Sequence, residues 1–133
     1  MRENGFLEVS EDVIKASTPL GAGLGFAKEV CGCLTGGALA LGLKYGRTDL
    51  TRSRRPSWSR ALRLVERFKG QYGTTSCAEM TREFSDFSSS QRIACCMEII
   101  AFVTCEVAGL LADSDETYKD PEKDAYFAKR ELG

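Results

Sequence analysis

The 133-residue chain contains no histidine. No imidazole is therefore at hand for proton transfer or metal ligation near neutral pH, and a soft metal site would have to be built largely from thiolates. Cys-x-x-Cys is also missing, which speaks against a thioredoxin-type motif and against a zinc ribbon. Sustained apolar–polar alternation is absent, so strands are not expected. Neither sign of charge dominates: 18 lysines and arginines stand against 19 acids, a formal net charge of −1 that exerts no general pull on nucleic acid or anionic lipid. No apolar run reads as a secretory leader or a membrane span, so a cytoplasmic location is expected. In that reducing compartment cysteines serve as core residues, redox thiols or metal ligands more often than as permanent bridges.

What the chain does have is cysteine, at positions 31, 33, 77, 95, 96 and 105. With 43% hydrophobic residues it can fill one core without disulfides, and the expectation is a single compact all-α domain, residues 1–133, of about five to six helices. Ser10, followed by Glu11 and Asp12, caps a short first helix that Pro19 and the glycines at 21, 23 and 25 end. A second helix is expected over 26–45, with Val30, Leu34, Leu41 and Tyr45 inward. A third is expected over 57–69, with Trp58, Ala61, Leu62, Val65 and Phe68 as its apolar stripe. Thr74 or Thr75 caps a short helix carrying Cys77 and Met80. Ser88 to Ser90 cap the longest helix, about 90–113, with Ile93, Cys96, Ile100, Val103, Val107 and Leu110 inward. Asp120 and Pro121 start a charged helix over 120–132.

Cys31-Gly32-Cys33 is the strongest local signal, since two thiols around one glycine can bind one metal or exchange with a disulfide. Packing of small buried residues explains such a pair equally well. Gly32, Gly36 and Gly37 each cost about 1 kcal/mol against alanine inside a helix, which suggests that a backbone or a cofactor approaches there. Cys77, in a first helical turn, is expected to have a lowered pKa and to react early. Cys105 is expected in the core, reacting late. Gly21, Gly23 and Gly25 lack dinucleotide-motif spacing and read as a tight loop. Lys44, Arg47, Arg52, Arg54, Arg55, Arg60 and Arg63 form a basic run. It is read as a solvated face, with contact to phosphates or an acidic redox partner as the functional alternative.

Gly21-Ala22-Gly23-Leu24-Gly25, then Cys31-Gly32-Cys33-Leu34-Thr35-Gly36-Gly37, then Leu41 to Gly46, together with Phe68 to Thr81 around Cys77, resemble the redox-active protein family named for the pattern C_GCAxxG_C_C. The resemblance covers about residues 11–111. Cys96-Met97-Glu98-Ile99-Ile100 is similar to the family's last cysteine element, with Cys95 as the alternative register. Leu34 stands where the pattern has alanine, no cysteine precedes Cys31, and the match leaves open whether Cys31, Cys33 or both take the central place.

The resemblance implies an all-helical redox or iron–sulfur module with Cys31, Cys33, Cys77 and Cys96 as its ligands or redox thiols, and with Gly32, Gly36 and Gly37 beside the cofactor. The expected function is electron transfer through an iron–sulfur cluster or other thiolate-bound metal. Thiol–disulfide redox without metal is the second possibility, and a structural or protein-interaction module with buried cysteines or zinc is the third. A redox partner protein is expected and nucleic acid is not. The glycine-rich helix faces leave room for a homodimer.

Overall fold

The computed structural model describes residues 7–115 and 117–130. They form the helical segments α1 (Glu11–Ser17), α2 (Gly21–Leu24), α3 (Gly32–Tyr45), α4 (Arg55–Tyr72), α5 (Cys77–Thr81), α6 (Ser90–Ala112) and α7 (Pro121–Arg130), with a 3₁₀ turn at Thr18–Leu20. Among the described residues there is no strand, and the expected all-α class holds. α2 is helical only by hydrogen bonding, because Ala22 and Gly23 are left-handed. The ends follow side-chain caps. Ser10, Ser76 and Ser89 accept the N–H groups of Val13, Glu79 and Arg92, each satisfying a donor that the first helical turn leaves open. Asp120 does the same for Glu122 and Lys123 at the start of α7. The expected end of that helix at residue 132 lies outside the described residues.

α3, α4 and α6 pack on one another around Leu34, Leu41, Leu64, Phe68, Ile99, Val103, Val107, Leu110 and Leu111. Three expectations about these helices need correction. α3 starts at Gly32, six residues later than the reading from 26 onward. Phe26 and Lys28 have φ of 71° and 57°, which no right-handed helix accommodates, and Val30 is exposed instead of facing inward. On α6 the buried line is Ile99, Val103, Val107 and Leu110, while Ile93 and Ile100 are exposed. Val103, Val107 and Leu110 face inward as expected, and the departure lies in the first half of the helix, where Ile99 takes the inward place expected of Ile100. On α4, Leu64 and Phe68 enter the core. Trp58, Ala61, Leu62 and Val65 instead line a cavity of about 640 Å³ against Tyr118, Tyr126 and Phe127.

The basic run is also not uniformly solvated. Arg60 and Arg63 are buried, at 1% and 5% exposure. Both bind the chain where α6 ends. Arg60 donates to the carbonyls of Leu110 (3.3 Å) and Asp113 (2.5 Å), and Arg63 donates to the Asp113 carboxylate (2.5 Å) and the Thr117 carbonyl (2.7 Å). Lys44 Nζ and Tyr45 OH each donate to the Leu111 carbonyl at 2.7 Å, and the Arg60 guanidinium lies 3.7 Å from the centre of the Tyr45 ring. The last carbonyls of a helix have no partner within it and carry its negative dipole end. Lys44 of α3 and Arg60 of α4 supply what that end needs, and Arg63 holds the segment that follows it.

α6 itself has 23 residues, and an 18-residue window within it has a mean hydropathy of 2.0. By length and composition it could cross a membrane, contrary to the reading that no run could. Only 22% of that window is buried within the chain.

Gly37 marks the closest approach in the core. A Cβ there would stand 2.8 Å from Val103 Cγ1 and 2.9 Å from Leu64 Cδ2, whereas nothing lies within 4 Å of one built on Gly42. Gly37→Val should therefore lower stability by about 1–3 kcal/mol through overpacking. Gly42→Ala should raise it by up to about 1 kcal/mol through helix propensity. Denaturant unfolding of both variants checks the pair, and equal effects would contradict this packing.

Candidate thiol site

Two backbone hydrogen bonds build the site. The Cys31 N–H donates to the Thr75 carbonyl at 2.8 Å and the Cys77 N–H donates to the Glu29 carbonyl at 2.6 Å, flanking an antiparallel bridge between Val30 and Ser76. Side chains alternate along such a pairing, so Cys31 and Cys77 share the face opposite Val30 and Ser76. Burial agrees: both cysteines are 7% exposed and Val30 is 44% exposed.

The approach to this pairing is a left-handed turn. Ala22, Gly23, Leu24, Gly25 and Phe26 all have φ between 52° and 71°. The conformation costs L-residues about 1–2 kcal/mol each. It is held by the Lys28 and Glu29 N–H groups donating to the Ala22 and Gly23 carbonyls (3.1 and 3.0 Å) and by the Phe26 ring set edge-on against Phe87, 4.9 Å away. Gly23 has no alternative: a Cβ would lie 2.7 Å from the Cβ of Cys77 and from the backbone of Lys28 and Glu29. Of the glycines read in the sequence as a tight loop, Gly23 is thus the wall behind Cys77.

Cys31 is the N-cap of α3 and Cys33 is in its first turn. The Cys31 pKa is lowered to about 6, chiefly because the Cys33 S–H donates to its sulfur. Burial opposes the shift, and the backbone N–H groups of Cys33 and Leu34 reinforce it. Cys33 is pushed up correspondingly: its proton is held in the bond to Cys31, it is buried, and the negative charges of Cys31 and Cys96 disfavour a second one. At neutral pH the pair holds one proton, on Cys33. This is how one thiol of a close pair becomes a nucleophile without a histidine.

Cys96 and Cys95 come from the start of α6. The charge of Cys96 is felt by Cys33, Cys77 and Cys95. Arg92, one helical turn earlier, donates to Cys96 Sγ at 3.7 Å while its Nε donates to the Phe87 carbonyl at 2.5 Å. Cys95 is raised by partial burial and by the nearby charges of Cys96 and Glu98. Cys31 and Cys33 are neighbours at the start of α3, Cys77 shares the face of Cys31 across the pairing, and Cys95 lines a cavity of about 350 Å³ beside Tyr72 and Arg82. Cys33 lines a separate groove between α3 and α6.

Two expectations about reactivity are reversed. Cys77 is raised by burial and by the charges of Cys31 and Cys96, so the dipole of the five-residue α5 does not prevail. Cys105 is exposed on the outer side of α6 and is not a core residue. Of the three glycines assigned to a close approach, Gly32 meets one, since a Cβ would stand 2.5 Å from the Leu20 carbonyl oxygen. Gly37 packs on helices α4 and α6, and Gly36 meets nothing within 4 Å. Counted from Gly32, the G-C-x-x-x-G spacing places its cysteine at Cys33 and its closing glycine at the tightly packed Gly37.

Sequence reasoning missed Tyr72, Lys28 and Arg92. The tyrosine hydroxyl is raised by burial and then by the charges of Cys95 and Cys33. Lys28 lies 4.9 Å from the centre of the Phe87 ring, and its charge favours ionised Cys77. Only Arg92 left a sequence signal, its spacing of four from Cys96.

The donor chemistry suits a thiophilic metal. The arrangement does not yet match one: among the described residues, no three or more His, Cys, Asp or Glu side chains are grouped to hold a metal ion.

The shared proton has a pH signature. In a Cys105→Ser background, Cys31 alkylation should rise through pH 6 as the thiolate forms. Cys33→Ala should move that inflection up toward the ordinary thiol range by removing the largest cause of the shift. Mass-spectrometric labelling rates against pH test this, and an inflection unmoved by Cys33→Ala would contradict the shared proton.

The model of the family described as "Putative redox-active protein (C_GCAxxG_C_C)" matches residues 3–110. Comparison with curated proteins and with solved structures gave no match. The matched span carries Cys31, Cys33, Cys77, Cys95 and Cys96, and the chain belongs to the C_GCAxxG_C_C redox-active protein family.

Proposed function

We propose that the protein is a thiol–disulfide redox protein in which Cys31 is the attacking thiolate and Cys33 the resolving thiol. The observation that carries this reading is the placement of Cys31 as N-cap and Cys33 in the first turn of α3, where Cys33 lowers the Cys31 pKa to about 6. Cys31 attacks one sulfur of an external disulfide, forms a mixed disulfide and expels the other sulfur as a thiolate. In that adduct Cys31 bears no charge, so Cys33 loses both its hydrogen-bond acceptor and its main repulsive neighbour, and its pKa falls. Its proton passes to the expelled thiolate. Cys33 then attacks Cys31, closes the internal disulfide and releases the second substrate thiolate. The two cysteines give up two electrons and the external disulfide accepts them.

Electron transfer through an iron–sulfur cluster or another thiolate-bound metal is the second reading. It is favoured by a donor set made wholly of sulfur, with Cys31, Cys33, Cys77 and Cys96 as candidate ligands and Cys95 as the alternative to Cys96. Metal analysis and the visible spectrum of anaerobically purified protein separate the two readings.

With a small-molecule disulfide as substrate, Cys33→Ser in the Cys105→Ser background should accumulate a mixed disulfide on Cys31, seen by intact-mass and peptide mass spectrometry. Cys31→Ser should form none at Cys33. An adduct that instead builds up on Cys77 would displace Cys31 as the nucleophile.

A further inference from the structure

The outer side of α3 and α6 forms one continuous uncharged surface. Residues 32–43 contain no charged side chain, and Leu39 and Leu43 are exposed there. Ile93, Met97 and Ile100 of α6 are 47%, 58% and 45% exposed. Between the two helices runs a groove of about 170 Å³ floored by Gly36 and Ala40 and walled by Ile100 and Thr104, and a side chain on Gly36 would meet nothing within 4 Å. This face explains why so little of the most apolar helix is buried within the chain.

We propose that the face is the interface of a two-fold symmetric homodimer, in which α3 and α6 of two copies form a four-helix layer. Its size is right. At 1.5 Å per residue α6 is about 34 Å long. A strip two helices wide at about 9 Å spacing then offers roughly 600 Å² per copy, about three quarters of the ~800 Å² per partner of a standard interface and at the upper end of the apolar patches that single proteins expose. Its shape is self-complementary. A ridge of large side chains borders a groove floored by small ones, and a two-fold axis sets each copy's ridge in the other's groove. The absence of charge leaves nothing to steer or select an unlike, charged partner. The proposal does not depend on the thiol mechanism, although the groove ends at Cys33, which a second copy would cover.

Sedimentation velocity of the full chain over a dilution series provides the test, with two variants. Gly36→Leu puts a large side chain into the groove at a position where an added Cβ meets nothing within 4 Å, and Met97→Glu charges the ridge. The wild type is expected at twice the chain mass, and both variants at one chain mass with unchanged helicity. If Gly36→Leu fails to fold, Met97→Glu alone decides. A wild type that remains monomeric throughout overturns the proposal, as does a dimer that survives both substitutions. Flotation of the monomer with neutral phospholipid vesicles would overturn it in favour of a lipid-facing helix.

Discussion

The site depends on a pairing only three residues long. Glu29 to Cys31 and Thr75 to Cys77 lie far apart in the chain, and two hydrogen bonds hold them antiparallel. An isolated two-strand pairing is marginal in water, so its surroundings must stabilise it. The left-handed turn does so from one side, bringing Gly23 against Cys77 and Phe26 against Phe87. The start of α3 does so from the other, because Cys31 both closes the pairing and caps the helix. Positive φ at Ala22, Leu24, Phe26 and Lys28 is the conformational cost of putting a buried thiol at a helix start.

The electrostatics follow from that placement. Burial alone would raise the Cys31 pKa, as it does at Cys77. What reverses the sign at Cys31 is a neighbouring S–H and the backbone N–H groups that a helix start leaves unpaired. Negative charge on Cys31 then disfavours ionisation of Cys33, Cys77 and Cys95. Lys28 and Arg92, both set against the Phe87 ring, bring positive charge to the Cys77 and Cys96 side.

Local signals were readable in the sequence. The serine caps of α1 and α6, the Asp120-Pro121 start of α7, the all-helical class and the family motifs all depend on residues close together in the chain. Non-local effects were not. The start of α3 at Gly32 is set by pairing with residues 75–77, and nothing in Phe26 or Lys28, neither of them glycine, signals a left-handed backbone. Arg60 and Arg63 read as solvated because the groups that bury them, the Leu110 carbonyl near the end of α6 and the Thr117 carbonyl just beyond it, are about fifty residues away in the chain. Ile93 and Ile100 fit a helical stripe as well as Cys95 and Ile99 do, and only the packing of α3 and α4 decides which stripe turns inward. Cys105 was misplaced with them.

The central claim is that Cys31 and Cys33 form one two-electron couple. Disulfide mapping by peptide mass spectrometry, after equilibration of the metal-free chain with a disulfide oxidant, tests it most directly. The expected result is a Cys31–Cys33 bridge with Cys77 and Cys96 still free. A product in which Cys31 is bridged to Cys77 or Cys96, with Cys33 left as a thiol, would contradict it.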